Sequence, residues 1–600
     1  MIISKALAPL GAVLLLSSAS LASNLTPTTE QTWTLRALVT ELEEKHYVDR
    51  RYNDAMSAEH LNTYLERLDP SHLYFTASDV AEFQRYATQL DDLGRQGVVS
   101  PAFEMFSRYE QRASDRLEQV ISKMDTIVSR LVFAKDEYID SDPTAREWAI
   151  NDEDLDDRWR KRIKNQVLAL KLAEKDEAEI APTLVKRYEN QRNRLAQYNE
   201  QDVFAVFANA LTSQFDPHTS YFSPRRAENF DIDMRRSRER IGAVLQNEAE
   251  YVTVVRVVPA CPADKQSDLR PAELIIAVGQ GKAGPMTDVI GWRLDDVVDL
   301  VRGKKGTVVR LDVIPAAGRA DEARRLTITR NEVRLEEQAA QSKLLKINAL
   351  DGAPRKIGVI DIPAFYLDFD AYRKGDPDFR STTRDVAKLV NELNDAGVDG
   401  LVIDLRGNGG GSLREANELT GLFIEYGPTV QIRGTGSRVW RDGKRRRGPY
   451  YDGPVAIMID RLSASASEIF AGALQDYGRA IVVGDRSFGK GTVQTLLDLP
   501  EGQLKITESK FYRISGDSTQ HRGVIPDITY PSLLQHDEIG ESSLEKALDW
   551  DRIAPVRHKD YGVVDAILPT LVAKHTERAN SDPDFQYIWD QKALAEKVRG

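Results

Sequence analysis

The sequence contains a single cysteine, Cys261, among 600 residues, which excludes an internal disulfide and a zinc site built from several cysteines. Beyond its first residues it has no long hydrophobic run, and a mean hydropathy of -0.42 with 29% charged residues excludes a protein with several membrane spans. The sequence has fewer basic than acidic residues, with 81 Lys and Arg against 93 Asp and Glu, which gives a net charge of -12. Nucleic acid is therefore a poor partner, and we expect proteins or neutral molecules instead.

What the sequence does have is enough apolar material for several cores. Its hydrophobic fraction is 41%, with 18 Phe, 21 Tyr and 7 Trp. At roughly 150 residues per domain, the length predicts about four folding units. Packing within these units must supply the stability, because disulfides are excluded.

The N-terminus has the features of a secretory signal peptide. An apolar run covers residues 6–16, and the small residues Ser20 and Ala22 stand at positions -3 and -1 of a cleavage point before Ser23. Polar serines end this run before it reaches the length of a membrane anchor, and no cysteine follows it for lipid attachment. The sequence therefore predicts a cleaved signal peptide over residues 1–22 and a periplasmic protein without stable membrane insertion.

Hydrophobic periodicity changes along the chain and separates the folding units. Helical spacing dominates residues 29–230. The residues that share one helical face there include Trp159, Ile163, Val167 and Leu170. Short β-branched runs fill residues 241–314, strands and helices alternate from residue 356, and a charged helical composition returns after residue 531. The sequence predicts a helical domain, a small β-rich module, an α/β layer and a helical C-terminal region.

The first candidate for chemistry is the segment S-A-S-A-S-E-I-F at residues 463–470. It lies between an apolar strand, 455–459, and a helical stretch, 471–477. A serine at such a junction presents its hydroxyl at a helix N-terminus, where free N–H groups favour developing negative charge. The alternative is that these serines only cap the helix.

The second candidate is Lys490 in the segment F-G-K-G-T-V-Q at residues 488–494. Its glycine neighbours allow close backbone approach and leave little bulk around the amine, as a desolvated lysine base requires. The alternative is an ordinary surface lysine in a turn.

The third candidate is the glycine run 409–411, which follows the strand 401–405. The Walker and dinucleotide patterns of phosphate-binding loops are both missing, so phosphate binding is not predicted. Exposed glycine amides can instead form an oxyanion hole for acyl transfer. A nucleophile, a neutral amine and an oxyanion loop together predict a Ser/Lys hydrolase.

Two other hydrolase classes fit the sequence less well. A Ser-His-Asp triad requires a histidine near the serine, and within the α/β segment only His521 is present, in a polar stretch typical of a surface loop. A peptidoglycan-active hydrolase requires S-x-x-K, which occurs at 487–490 and 543–546, but its S-D-N and K-T-G partners are missing.

The motifs closely resemble the tail-specific, or C-terminal processing, serine peptidases of bacterial envelopes. The segments that carry the resemblance to the peptidase are 409–411, 463–470, 488–494 and 523–527. Those that resemble the region leading into and through the PDZ module of the longer periplasmic branch are 216–224, 241–244 and 288–292. In the first of these, we expect His218 to be structural, with Asp216 and Pro217 setting a turn.

The resemblance implies a multidomain α/β fold in which an α/β serine protease core and a PDZ module are flanked by N-terminal and C-terminal helical domains. The expected boundaries are 1–22 for the signal peptide, 23–232 for the N-terminal helical domain, 233–318 for the PDZ domain, 319–530 for the protease core and 531–600 for the C-terminal helical domain.

The resemblance also implies the catalytic roles. Ser465 corresponds to the nucleophile, Lys490 to the general base, and Gln494 to the residue that holds the lysine amine. Burial must lower the lysine pKa from about 10.4 for the amine to be neutral near pH 7. No metal or organic cofactor is implied.

Supporting positions follow from the same comparison of motifs. The oxyanion hole would consist of the backbone amides of Gly411 and Ala466, with Gly410 beside them. Asp476 and Glu468 match acidic positions that support activity in the long branch.

The PDZ module would recognise the substrate by adding its C-terminal strand to a sheet edge. The residues expected to bind this tail are Ile241, Gly242, Ala243 and Val244. Two departures from the family pattern stand nearby, Arg240 in place of a glycine and the segment 270–273, and we expect Arg240 to change tail affinity. The expected partners are protein substrates with apolar C-termini, and an envelope adaptor protein is compatible with them. The rival from another class is a non-catalytic PDZ scaffold.

Overall fold

The structure is a computed structural model that describes residues 25–599 apart from 136, 140–145, 236, 249–250, 258–260, 316–322, 335–338, 350–351 and 445–450. The predicted signal peptide, 1–22, lies outside the described residues. Within them, no helix combines the length and apolar character needed to cross a membrane.

The described chain forms helices and strands throughout. The helices are α1 (Thr29–Lys45), α2 (Asp54–Leu68), α3 (Ala77–Phe83), α4 (Leu90–Gln96), α5 (Ser100–Ser129), α6 (Asp152–Leu172), α7 (Glu177–Leu195), α8 (Glu200–Thr212), α9 (Pro224–Arg235), α10 (Pro262–Gln266), α11 (Leu294–Val301), α12 (Phe369–Arg373), α13 (Thr382–Asp395), α14 (Leu413–Thr420), α15 (Ala466–Asp476), α16 (Val563–Ser581) and α17 (Pro583–Arg599). The strands are β1 (Ser220–Phe222), β2 (Ser237–Arg240), β3 (Ala243–Glu248), β4 (Tyr251–Val257), β5 (Leu274–Gln280), β6 (Met286–Asp288), β7 (Val308–Ile314), β8 (Arg324–Thr329), β9 (Asn331–Arg334), β10 (Gln341–Asn348), β11 (Pro354–Asp361), β12 (Gly400–Asp404), β13 (Gly427–Gly434), β14 (Val439–Lys444), β15 (Val455–Ile459), β16 (Ile481–Gly484), β17 (Thr492–Asp498), β18 (Gln503–Tyr512) and β19 (Ile528–Thr529).

One compact unit consists of residues 62–86 and 99–204 together with the N-terminal 28 residues, and its described part is helical. The long helices α5, α6 and α7 share a buried core. The prediction of a buried face on α6 is confirmed, because Trp159, Ile163, Val167 and Leu170 are all buried. Asn151 caps this helix, and the Trp159 indole donates to Leu73 O at 2.8 Å.

The second unit contains residues 29–61, 87–98 and 205–600. Its small β-rich module is an antiparallel sheet in the order β3-β4-β5-β7-β8, with β6 paired to β5. Alternating apolar side chains of these strands and of α11 form its core, in which Ile275, Val297 and Leu311 are fully buried. The structure thus places β3 at one edge of the sheet.

The α/β layer in the same unit is a six-stranded sheet in the order β10-β11-β12-β15-β16-β19. Its pairs are parallel apart from the antiparallel pair β10–β11, and helices α13, α14 and α15 belong to the same region of the chain. Ile403, Ile457 and Val482 are fully buried in its core, as parallel strands covered on both faces require. A second, antiparallel sheet contains β1, β18, β13 and β14, with β17 paired to β18.

The helical C-terminal region begins later than its composition predicts, since α16 starts at Val563. Residues 531–562 contain one turn of 3₁₀ helix, Glu541–Ser543, and are otherwise irregular. They contact the peptidase core. The Glu541 amide donates to Phe488 O at 3.0 Å, and the buried Arg461 guanidinium donates to Ile539 O. At these positions the backbone of the segment bonds to the core instead of to a helix of its own.

Candidate active site

Ser465 lies in the turn between β15 and α15 and is the N-cap of that helix. Its backbone has φ 55° and ψ -109°, which is a strained conformation for a residue other than glycine. The neighbouring serines hold this turn, because the buried Ser463 Oγ donates to Leu405 O at 2.8 Å and the buried Ser467 Oγ donates to Asn408 O at 2.9 Å. Ser465 is half-buried, so it is the serine of the three that a substrate can reach.

The glycine run packs directly on this turn. The Ala464 amide donates to Asn408 O at 3.0 Å, and a Cβ on Gly410 would lie 2.9 Å from Ser465 Cβ. Within the described residues, the amides of Gly411 and Ala466 donate no hydrogen bond. Two free N–H groups therefore stand beside the Ser465 turn, as an oxyanion hole requires.

Glu468 joins the two halves of the site. It is 1% exposed and lies in the first turn of α15. Its Oε2 accepts from the amides of Ser465 at 2.7 Å and Lys490 at 3.0 Å, and its Oε1 accepts from the Gly489 amide at 2.7 Å and Ser487 Oγ at 2.6 Å. Burial raises the pKa of Glu468 to about 7, although each of these donors favours the ionised form. One carboxylate thus fixes the backbone of both Ser465 and Lys490.

The Lys490 amine is in a desolvated position. Burial, with a smaller contribution from the positive charge of Lys505, lowers the pKa of Lys490 to about 8. The negative charges of Glu541, Asp216 and Glu468 oppose this shift. Within the described part of the chain, the amine makes no hydrogen bond or ion pair, so its lone pair can accept a proton.

Gln494 lies on β17, four positions after the lysine. Its side-chain amide donates to Thr492 Oγ1 at 2.9 Å and to Thr507 Oγ1 at 3.1 Å. The two threonines therefore orient the amide, and its carbonyl oxygen is left as the end that can accept from the Lys490 amine.

Exchange of Gly410 for alanine is expected to disable this site. The added Cβ would lie 2.8 Å from Ala464 O and 2.9 Å from Ser465 Cβ, at a backbone φ of 101° that strains any side chain. We expect kcat to fall at least about 100-fold, because the displaced serine no longer meets the substrate carbonyl. Gly409→Ala is the control, since its Cβ meets nothing within 4 Å, and it should keep most of the activity. Equal rates of peptide hydrolysis in the two variants would contradict this role of Gly410.

Comparison with known proteins places the chain in a family. The matched family models are the tail specific protease N-terminal domain at residues 38–225, the PDZ domain at 231–314, peptidase family S41 at 356–530 and the C-terminal domain of tail specific protease at 534–599. A tail-specific protease of Haemophilus influenzae is 37% identical over 559 residues, which cover 91% of this chain and 77% of the relative. The chain belongs to the tail-specific proteases.

More distant relatives match a smaller share of this tail-specific protease. The carboxy-terminal processing protease CtpA of Bacillus subtilis is 28% identical over 352 residues, which cover 58% of this chain and 68% of CtpA. Among solved structures, the PDZ domain of a carboxy-terminal protease from Vibrio cholerae in complex with peptide has 42% sequence identity and a TM-score of 0.16, and the match covers 16% of this chain and 99% of that chain.

Membership of this family identifies the enzyme class of the protein. This tail-specific protease is a serine peptidase of family S41 with a PDZ domain, and the predicted α/β protease core with helical domains at both ends is confirmed. The rival interpretation as a non-catalytic scaffold is therefore wrong. Protein substrates with C-terminal peptides are the partners that such a protease and its PDZ domain require.

The segment 241–244, which is predicted to bind the substrate tail, lies at an edge of the PDZ sheet. Ile241 is buried, Gly242 has a φ of 84°, and Val244 on the edge strand β3 is 37% exposed. Arg240 ends β2, where its backbone pairs with Asn331 of β9. This arrangement leaves one side of β3 open within the described sheet.

The second departure, 270–273, has a structural explanation. Glu273 is buried, its Oε2 accepts from the Arg270 amide at 2.9 Å, and its Oε1 accepts from Arg324 at 2.5 Å. The segment is therefore a turn held by a buried carboxylate, and it precedes β5 without contributing to the β3 edge.

Asp476 is not brought to Ser465. It is the last residue of α15, and the helix rise places it about 16 Å along the axis from the serine. Its carboxylate accepts from the Arg513 guanidinium and from the Ser515 amide at 3.3 Å. Asp476 therefore fastens the far end of the helix that carries Ser465.

His521 does not complete a catalytic triad in the described structure. Its backbone amide donates to Gly489 O at 2.8 Å, so the residue supports the lysine loop through its main chain. Among the described residues, no carboxylate is hydrogen-bonded to its ring. The imidazole therefore lacks the acidic partner that a triad requires.

Sequence reasoning missed Glu541, which is fully buried near the lysine loop. Its carboxylate lies 2.8 Å from His218 Nε2 and accepts from Gln520 Nε2 at 2.7 Å. Gln520 Oε1 in turn accepts from the Gly491 amide at 2.8 Å. The signal that could identify Glu541 is the polar D-P-H-T stretch at 216–219, from which the sequence predicts only a turn. His218 thus supports the residue that follows Lys490.

Proposed function

We propose that this tail-specific protease cleaves peptide bonds with a Ser465/Lys490 dyad and acts in the periplasm on proteins with apolar C-terminal tails. The observation that carries the dyad is the Glu468 carboxylate, which bonds the backbone amides of both residues. A structural serine and a structural lysine would not require a shared buried anion. The periplasmic location follows from the predicted signal peptide.

The first half of the reaction is acylation. The neutral Lys490 amine accepts the Ser465 hydroxyl proton while Oγ attacks the substrate carbonyl carbon. The resulting oxyanion is stabilised by the amides of Gly411 and Ala466. The lysine ammonium then donates its proton to the leaving amine as the peptide bond breaks, which leaves an acyl-enzyme ester on Ser465.

The second half is hydrolysis of this ester. Lys490 accepts a proton from water, the hydroxide oxygen attacks the ester carbon, and the proton returns to Ser465 as the acid product leaves. The unpaired amine and its pKa of about 8 suit this exchange, because a base is most effective when its pKa is near the working pH. When the amine takes up the serine proton, the Gln494 carbonyl oxygen can accept a hydrogen bond from the resulting ammonium. Asp476 acts only by anchoring α15.

Substrate selection is assigned to the PDZ domain. An extended tail adds to the open side of β3, and its terminal carboxylate is received by the backbone near Gly242, in front of the strand. Val244 is exposed on this strand and provides an apolar contact, which favours apolar tails. Ile241 and Ala243 complete the segment.

Amidation of a substrate tail should weaken its cleavage. The uncharged amide loses the charge-assisted hydrogen bonds that the carboxylate accepts, so we expect kcat/KM to fall about 10-fold or more. The assay incubates the protein with matched peptides bearing free or amidated apolar C-termini, and mass spectrometry identifies the products. Peptides with a polar free C-terminus are the control for side-chain preference. Equal rates for free and amidated tails would place selection outside the PDZ domain.

A further inference from the structure

Asp216 is a buried carboxylate that the proposed reaction has not used. It is fully buried, follows α8, and lies in the residues matched to the N-terminal domain of the family, outside residues 356–530. The groups that donate to its carboxylate are His46 Nε2 at 2.7 Å, the His218 amide at 2.7 Å, the Thr219 amide at 3.2 Å, Thr219 Oγ1, and Thr507 Oγ1 at 3.1 Å. With these partners the pKa of Asp216 is lowered, so the group is an anion.

One of these donors, the Thr507 hydroxyl, connects Asp216 to a residue of the proposed active site. Thr507 Oγ1 donates to Asp216 Oδ1 and accepts from Gln494 Nε2 at 3.1 Å. The Thr507 hydroxyl has one proton, and it donates this proton in the hydrogen bond to Asp216. Its lone pairs must therefore accept from the NH₂ group of the Gln494 side chain. Asp216 therefore determines which end of the Gln494 side chain is free for the lysine amine.

Hydrogen bonds from N-terminal residues also hold the backbone of Thr507. The Tyr47 amide donates to Thr507 O at 2.7 Å, and the Thr507 amide donates to Thr219 Oγ1 at 3.1 Å. His46 and Tyr47 follow α1, so two N-terminal segments meet β18 at one residue.

We propose that Asp216, held by His46, is a positioning residue. It orients the side chain of Gln494 through Thr507, and its negative charge acts on the Lys490 amine. This inference rests on the proposed function, in which Lys490 is the base. The N-terminal domain then contributes residues that support the active site of the peptidase.

The charge of Asp216 acts on the amine together with three other groups. Lys505 on β18 opposes protonation of Lys490, while Glu541, Asp216 and Glu468 favour it. Removal of the Asp216 charge therefore lowers the pKa of Lys490 further. Removal of the Thr507 hydroxyl leaves these charges in place and affects only the orientation of Gln494.

The test of positioning is Thr507→Val. We expect kcat to fall about 10-fold with little change in KM, because the chemistry is misaligned while the tail still binds. Thr429→Val is the matched control, since Thr429 is also buried in a strand and its hydroxyl donates to Asn417 Oδ1 at 2.6 Å, with Asp442 O as a second acceptor at 3.3 Å. In a Gln494→Ala background, Thr507→Val should add little further loss. Additive losses, or equal effects of the two valine variants, would overturn the proposal.

The test of charge is Asp216→Asn. The rising, acidic limb of the pH profile, which reports deprotonation of Lys490, should move to lower pH in this variant and stay in place in Thr507→Val. The titration of the Lys490 amine, followed by pH-dependent acetylation and mass spectrometry in a Ser465→Ala background, should show the same shift. An unchanged titration would refute the charge contribution of Asp216. A shifted titration without a shifted rate profile would retain it and refute Lys490 as the base instead. A Ser465→Ala, Asp216→Asn variant that does not fold leaves Thr507→Val to decide the proposal.

Discussion

Replacement of Ser465 by alanine should abolish proteolysis while the protein remains folded. The change removes one half-buried hydroxyl, which is the only group that can form the acyl-enzyme in the proposed reaction. The Glu468 contact is to the Ser465 backbone amide, so it persists in the variant. We expect a loss of at least about 1,000-fold in kcat, measured by mass spectrometry of peptide products, with an unchanged denaturant midpoint within error.

The neighbouring serines provide matched controls for this prediction. Ser463→Ala and Ser467→Ala each delete a buried hydroxyl that donates to a loop carbonyl, so each should cost about 1–2 kcal/mol of stability. Both variants should nevertheless retain activity below their unfolding transitions. If all three variants lost activity equally, Ser465 would not be distinguished as the nucleophile.

Lys490→Arg should be inactive although it conserves the positive charge. A guanidinium remains protonated at any workable pH and cannot accept the serine proton, so we expect at least about a 1,000-fold loss in kcat. The control is Lys505→Arg, because Lys505 is assigned no proton transfer and its charge is preserved in arginine. Hydrolysis of a free-tailed peptide by the two variants measures the difference.

The pH profile provides a second measurement of the same assignment. Only the neutral amine is active, so kcat/KM should rise with pH through the lowered lysine pKa of about 8 and level off above it. Substantial activity in Lys490→Arg, or loss of activity in His521→Ala with normal stability, would identify a different proton acceptor.

The catalytic segments could be predicted from sequence because each is continuous. The turn that carries Ser465 follows an apolar strand and precedes a helix. The strand has the predicted bounds, as β15, while α15 begins at Ala466, five residues before the predicted helical stretch 471–477. Glycines beside Lys490 signalled close packing, and the structure gives Gly489 a contact with the backbone of His521. Local pattern and tertiary packing agree at these positions.

The roles of the acids Glu541 and Asp216 could not be found in the same way. His218 and Glu541 are 323 positions apart, and Asp216 and Thr507 are separated by 291. Periodicity reports which face of an element is buried, but not which distant polar groups meet there.

The Lys490 loop depends on Glu541, a residue far downstream of it in the sequence, and this has a consequence for biosynthesis. Glu541 holds Gln520, and through it the residue after the lysine, but it is synthesised about fifty residues after Lys490 itself. A growing chain therefore carries its nucleophile and base before it carries the group that supports their loop. The final geometry of the Lys490 loop therefore requires that the C-terminal segment has been synthesised, because the contacts made by Glu541 cannot form before then.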